Sequence, residues 1–358
     1  MKGYVIAYRS IFSFFVGFMS FAFIALMKIS GLSNFQIGLV LSSIQISQLI
    51  SYIVLIAFSV KRNILVSASL ELLIPVILVL DRSVFAFVLA AVLMGVANSI
   101  FSSVIIIQKD FTRKDYSVMM ALMHALSLAG LGMFYLSGIV GVDALLALFV
   151  PLLLANLLLT LKLKYQEKDE RLSGLYQWLK GVGKSVLAFG FFASLRRITL
   201  SSYIPLILLA TFSAYTPQEI SLYLMLFQIP LVAFLYIGHK ISDRSFMALT
   251  LAELGLFLVL SVYYWESILL ALSLILLANV ASSVRAPVIE ETVVKLLNFS
   301  TKISSFYQLT DYVFSAVASV LLALMVKLDL YYAVFELAGL SSFLPSLFVY
   351  RVLTQTKQ

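Results

Sequence analysis

Four ionisable side chains interrupt long apolar runs of this sequence and are its first candidates for chemistry. Arg196 and Arg197 share one run, Asp311 lies in another and His124 in a third. A charged group at the centre of such a run costs about 3 kcal/mol unless water, a proton or a partner compensates it. We therefore expect Asp311 to pair with one of the arginines or to bind a proton. All four residues are predicted to lie on a substrate or ion pathway.

Polar side chains without charge also occur within the apolar runs. They are the amides Gln45, Gln228, Asn98 and Asn279. In apolar helices an amide forms hydrogen bonds to a neighbouring helix or to a solute. We assign these four to the pathway, with helix packing as the equal alternative. Glu71 and Glu253 lie in two further runs, and there we favour a structural role, protonated or bonded to a neighbouring helix.

Several kinds of chemistry are excluded by the residues that are missing. The chain has no cysteine and two histidines, so we expect no disulfide, no thiol catalysis, no metal site and no cofactor. The sequence contains no phosphate-binding loop of the type Gly-x-x-x-x-Gly-Lys-Ser/Thr. This absence excludes a self-contained ATP-driven pump of that type. We further predict that the protein is not an enzyme and has no catalytic residue.

The apolar runs themselves are long enough to cross a membrane. Of the 358 residues, 62% are hydrophobic and 12% charged, against roughly 45–50% and 25% in soluble domains. Because a helix crosses the hydrocarbon with about 20 residues, the sequence predicts an all-α membrane protein of twelve spans. The spans are 4–28, 36–59, 64–80, 83–107, 117–140, 143–163, 184–211, 219–238, 246–264, 267–288, 303–326 and 330–350.

Basic residues predict the orientation of these spans. About twenty Lys and Arg residues, Arg285 among them, fall on the side of the N-terminus, and only Lys28, Arg82 and Lys327 fall on the other. This bias places both termini in the cytoplasm. It also accounts for the net charge of +8 without nucleic-acid binding. Arg196 and Arg197 lie about 21 to 23 Å from Thr211 at the outer end of their span. We expect at most one of them to face a central cavity, and contact with lipid phosphates is the alternative.

The two halves of the sequence share polar landmarks at an offset of about 183 residues. Gln36, Gln45, Lys61, Glu71 and Asn98 match Glu219, Gln228, Arg244, Glu253 and Asn279, some after a shift of one or two positions. A duplicated unit of six spans retains its orientation in the membrane. The predicted domains are an N-terminal six-helix bundle at 1–164, a cytoplasmic linker at 165–183 and a C-terminal six-helix bundle at 184–358.

Short loop motifs resemble those of the major facilitator superfamily of secondary transporters. Gly31–Ser42 (GLSNFQIGLVLS) is similar to the family's turn between the first two helices, and Thr216–Ser221 (TPQEIS) is its counterpart in the second half. Gly238–Arg244 (GHKISDR) resembles the family's Gly-x-x-x-Asp-Arg loop, with His239 in place of a glycine. By this resemblance Asp243 and Arg244 form a gating loop, in which Asp243 contacts the start of a neighbouring span.

The resemblance implies a transporter with two bundles that rock about a central cavity. Spans 1, 4, 7 and 10 then face the cavity, and spans 2, 5, 8 and 11 flank it. We expect a monomer in the cell membrane that moves a small solute by alternating access, with proton coupling through Asp311 as one mechanism. A flippase of lipids or lipid-linked glycans is the alternative, followed by a membrane-embedded enzyme that modifies lipids.

Overall fold

A computed structural model describes residues 2–58, 61–101, 113–163, 166–168, 184–241, 243–296 and 301–355. Twelve principal helices occur in these ranges and follow the order of the predicted spans. They are α1 Lys2–Ile29, α2 Asn34–Ala57, α3 Ile64–Leu80, α4 Val84–Phe101, α5 Arg113–Met133, α6 Val142–Leu163, α7 Lys184–Ile198 with Ile204–Thr211, α8 Pro217–Gln228 with Pro230–Ile237, α9 Asp243–Tyr263, α10 Ile268–Leu296, α11 Thr301–Lys327 and α12 Tyr331–Gln355.

The helices have the length and composition of membrane spans. Ten of those in the described ranges are long and apolar enough to cross a membrane, and α3 and the apolar part of α4 are shorter. Their outer surfaces stay apolar, since Leu80 is 79% and Ile139 77% exposed. Contact with lipid tails suits such side chains, whereas their exposure to water would cost free energy. The prediction of a polytopic, helical membrane protein is confirmed.

The second helix of each half begins with the same arrangement of hydrogen bonds. Gln36 N donates to Ser33 Oγ at 3.3 Å, and Ser33 N donates to Gln36 Oε1 at 2.8 Å. In the other half Glu219 N donates to Thr216 Oγ1 at 3.2 Å, and Thr216 N donates to Glu219 Oε2 at 2.7 Å. Such capping boxes satisfy amide groups that the first helical turn leaves free. The matched positions at an offset of 183 therefore have the same local structure.

Two helices of the second half are interrupted within the membrane. In α7 a π-helical turn, Thr199–Tyr203, separates the two α-helical parts, and Pro205 follows it. In α8 Pro230 separates the two parts, because proline has no N–H to continue the hydrogen-bond pattern. Both interruptions lie beside residues that line a cavity.

Helices pack within each half and across the boundary between halves. In the first half α1 packs on α5, α2 on α4, and α3 on α4 and α6. In the second half α7 packs on α11 and α12, and α9 packs on α10 and α12. The halves meet where α2 contacts α11 and where α5 contacts α8 and α10. The predicted domain boundaries stay a prediction.

Two three-residue strands depart from a purely helical architecture. Strand β1, Lys61–Asn63, pairs antiparallel with β2, Gln166–Lys168, which lies in the predicted linker. Both strands belong to connections between spans, where water can bond the edges that the pair leaves open. The hydropathy pattern carries no information about such short polar segments, which explains why they were not predicted.

Candidate functional site

A cavity of about 430 Å³ lies between the two halves. Helices α1 and α5 line it from the first half, and α7, α8 and α10 line it from the second. Much of its wall is apolar, with Val16, Phe21 and Leu128 on one side and Ile204 and Ile275 on the other. A cavity of this size accommodates a small organic molecule.

Five of the eight residues predicted for the pathway line this cavity. They are Arg196, Arg197, His124, Gln228 and Asn279. Asp311 lies behind Arg197, while Gln45 and Asn98 are half-buried elsewhere. Spans 1, 7 and 10 line the cavity as the resemblance implies, and spans 5 and 8 also line it, whereas the described part of span 4, up to residue 101, does not. The cavity is therefore displaced toward α5 and α8, which leaves Asn98 on α4 outside its wall.

Arg196 connects the cavity to a buried carboxylate. Its Nε and Nη2 donate to Glu253 Oε1 at 3.2 and 2.9 Å, and Nη2 also donates to Ser282 Oγ at 2.5 Å. The Glu253 side chain is fully buried, whereas 24% of the Arg196 side chain stays exposed. Glu253 is therefore bonded to a neighbouring helix, which is one of the two states expected for this carboxyl group.

The second oxygen of Glu253 accepts a hydrogen bond from Arg285. Arg285 is 1% exposed and its other donors reach Ala281 O, Thr250 Oγ1, Ser346 Oγ and Ser342 Oγ. These five bonds use all the donors of a guanidinium. The assignment of Arg285 to the basic cytoplasmic surface is wrong, because its side chain turns inward to the carboxylate of α9. An arginine inside an apolar helix was the sequence signal for this pairing. It was missed because Arg285 was counted among the basic residues of the cytoplasmic side.

Arg197 forms a separate ion pair with α11. Its Nη2 donates to Asp311 Oδ2 at 2.9 Å and to Ser315 Oγ at 2.7 Å. Asp311 Oδ1 accepts a hydrogen bond from Ser194 Oγ at 2.5 Å. The expected pairing of Asp311 with one of the two arginines is therefore present.

Both arginines line the cavity, contrary to the expectation that at most one would. Adjacent helical residues point about 100° apart. Arg196 points toward α9 and α10 and Arg197 toward α11, and the cavity surrounds enough of α7 to touch both. Each arginine contacts a carboxylate of a neighbouring helix.

The break in α8 lies beside His124 of the first half. Val232 N donates to Ile229 O at 3.2 Å, instead of following the regular pattern to Gln228 O. Gln228 and His124 line the same cavity from the two halves. His124 Nε2 is buried and has no hydrogen-bond partner in the described part of the chain. This nitrogen is a polar group that a solute in the cavity can satisfy.

The predicted gating loop is described only in its backbone. Asp243 begins α9 and Arg244 follows it in the same helix. Their side chains lie outside the described part of the structure, so a gating role for either stays a prediction.

Comparison with known proteins identifies the fold. No protein family model and no curated protein sequence matches this chain. Its structure is similar to the crystal structure of the human organic anion transporter MFSD10 (TETRAN), with a TM-score of 0.67 over 97% of this chain and 99% of that chain. The two sequences are 12% identical. The chain is a multi-pass membrane protein with the fold of the major facilitator superfamily, as the loop motifs indicated.

Proposed function

We propose that this protein is a secondary active transporter that moves a small, amphipathic organic anion across the cell membrane by alternating access. The observation that carries this proposal is the pair of arginines in a cavity between two helical halves. Arg196 and Arg197 both line it, and no Asp or Glu is among the described residues of its wall. In a site of low dielectric constant such a wall attracts anions.

The apolar part of the wall supports an organic solute over an inorganic ion. Val16, Phe21 and Leu128 lie opposite the arginine-bearing helix. An apolar body buried against these side chains contributes about 25 cal/mol per Å² of covered surface. The solute class that fits is a carboxylate or similar anion on an apolar skeleton. The organic anions named for MFSD10 agree with this class.

Alternating access is supported by the contacts between the halves. Ser319 Oγ donates to Ser42 Oγ at 3.2 Å across the boundary, while Tyr203 OH donates to Ser319 O at 2.7 Å and lies 3.3 Å from Gly38 O of the first half. These neutral hydrogen bonds each contribute only about 1 kcal/mol net. Contacts of this strength can be exchanged when one half rotates against the other.

Proton coupling is assigned to Asp311. The carboxylate holds Arg197 and accepts a hydrogen bond from Ser194. A proton on Asp311 would remove the ionic contact and release Arg197 for the solute. Occupation of the site and uptake of a proton are linked in this way, because both change the charge around one guanidinium.

Flux measurements in proteoliposomes test the function. Wild type, Arg196→Gln and Asp311→Asn are compared over anionic, cationic and neutral lipophilic solutes, with and without an imposed pH gradient. We expect uptake of organic anions in wild type, a loss of at least tenfold in Arg196→Gln, and flux in Asp311→Asn that no longer responds to the gradient.

Glu71→Gln is the matched control for these variants. Glu71 is a buried carboxylate in the first half, and its Oε1 accepts a hydrogen bond from Ser67 Oγ at 3.1 Å. Its removal leaves the cavity intact, so its flux is expected to equal that of wild type. Folded, correctly oriented wild type that moves no organic anion contradicts the proposal and leads to assays of lipid translocation.

A further inference from the structure

Two guanidiniums share one carboxylate in the second half, which leaves one positive charge without a counter-charge. Arg196 bonds one oxygen of Glu253 and Arg285 bonds the other. Arginine stays protonated in proteins, and two cations hold Glu253 in its ionised form. We call Arg196, Glu253 and Arg285 the Glu253 cluster, and its net charge is +1.

The geometry places this charge at the cavity. Arg285 is sealed from the cavity, with 1% exposure and all five donors bonded. Arg196 lines the cavity, and its bonds in the described structure use Nε and Nη2 only. Nη1 carries two further N–H donors. A bound anion can therefore accept hydrogen bonds from both and neutralise the positive charge.

While Asp311 is ionised, the neighbouring arginine adds no further charge. Arg197 pairs with Asp311 at 2.9 Å, so one carboxylate compensates one guanidinium there. Taken together, the three arginines and two carboxylates around α7 have a net charge of +1. A buried excess charge is stabilised when a ligand of opposite charge and equal magnitude replaces water.

We propose that the cavity is selective for monovalent organic anions and that Glu253 sets this selectivity by sharing one carboxylate between two arginines. The inference rests on the proposed function and goes further in naming the valence of the solute and the residue that fixes it. Glu253 does not line the cavity and acts as a positioning residue for Arg196. A second negative charge on the solute has no partner in the wall and is disfavoured.

The first half has a counterpart of Glu253 but no arginine at the positions that correspond to Arg196 and Arg285. At the offset of 183 residues Arg196 corresponds to Ser13, and Arg285, six residues after Asn279, corresponds to Val104, six residues after Asn98. Glu71, the counterpart of Glu253, has no hydrogen-bond partner for its Oε2 in the described structure. Glu71 does not line the cavity, and Glu71→Gln is therefore a control of the same chemistry that leaves the charge of the cavity unchanged.

Equilibrium binding of two matched probes tests the proposal. Octanoate and suberate have the same number of carbons and differ by one carboxylate. Their affinities for the purified full chain are measured at one fixed pH by isothermal titration calorimetry, in wild type, Glu253→Gln, Asp311→Asn and Glu71→Gln. We expect wild type to prefer octanoate, and Glu71→Gln to show the same ratio of affinities.

Removal of either neutralising carboxylate raises the net charge to +2. Glu253→Gln and Asp311→Asn are therefore expected to shift the ratio at least tenfold toward suberate. If Glu253→Gln does not fold, Asp311→Asn decides, since Asp311 is less buried than Glu253. An unchanged ratio in the folded variants overturns the valence proposal and leaves anion transport standing. Wild type that binds neither probe and transports no organic anion instead contradicts the proposed function itself.

Discussion

Buried arginine is expensive in a membrane protein, and Arg285 shows how the cost is met. Its planar group is surrounded by a carboxylate, three hydroxyls and one carbonyl, and Phe246 lies 5.6 Å from its central carbon. A buried ion pair contributes little net stability when complete, but removal of one partner costs about 3–5 kcal/mol. The Glu253 cluster is therefore sensitive to loss of its single anion.

At the scale of the residue, we expect Glu253→Gln to lower stability by about 3–5 kcal/mol, because two guanidiniums would then face one another without an anion. Thermal unfolding of the purified protein in detergent measures the change. Glu71→Gln is the matched control and should lower stability by much less, since no cation depends on Glu71 in the described structure. Equal losses in the two variants would contradict the account of the cluster.

At the scale of the element, glycine permits the close packing of α1 on α5. A Cβ at Gly17 would lie 2.0 Å from Ser127 O, and a Cβ at Gly130 would lie 2.0 Å from Phe14 O. The two backbones are thus in direct contact beside the cavity. Gly255 in α9 differs, because a Cβ there would meet no atom within 4 Å.

Alanine substitution at these glycines should have opposite effects. Gly130→Ala forces the two backbones apart and is expected to lower stability by about 1–3 kcal/mol. Gly255→Ala gains helix propensity at no steric cost and is expected to raise stability by up to about 1 kcal/mol. Unfolding temperatures of the two variants are compared in the same detergent. A gain in stability from Gly130→Ala would show that the helices are not in contact.

At the scale of the whole molecule, contacts at one end of the helices join the two halves. Asn34 Nδ2 donates to Tyr331 OH at 3.1 Å, and Lys327 Nζ lies 4.9 Å from the centre of the Phe35 ring. This end is predicted to face outward. If the halves rock, these residues must separate in every cycle.

A reversible cross-link between Asn34→Cys and Tyr331→Cys is therefore expected to stop most flux, with recovery after the link is reduced. The chain has no native cysteine, so the introduced pair is unique. The control pair is Arg82→Cys with Asp143→Cys, which join the α3–α4 connection to α6 within the first half. Flux that survives the first cross-link, or stops equally with the second, argues against rocking of the two halves.

Hydropathy and charge in the sequence determined the helices, their order and the chemistry of the candidate residues. Lipid imposes this outcome, because a span must be about 20 apolar residues that bond their own backbone. The repeat could also be found in the sequence, because the two residues of a capping box lie only three positions apart. Arg196, Arg197 and Asp311 were conspicuous because charge is rare in such helices.

Tertiary structure alone decided which charges compensate one another. Glu253 lies 57 residues from Arg196 and 32 from Arg285, and Asp311 lies 114 residues from Arg197. The sequence shows each charged residue but not the rotation of its helix or the neighbour it meets. It therefore counted Arg285 among the basic residues of the cytoplasmic side. Only packing of α7, α9, α10 and α11 brings three arginines to two carboxylates and leaves one positive charge at the cavity.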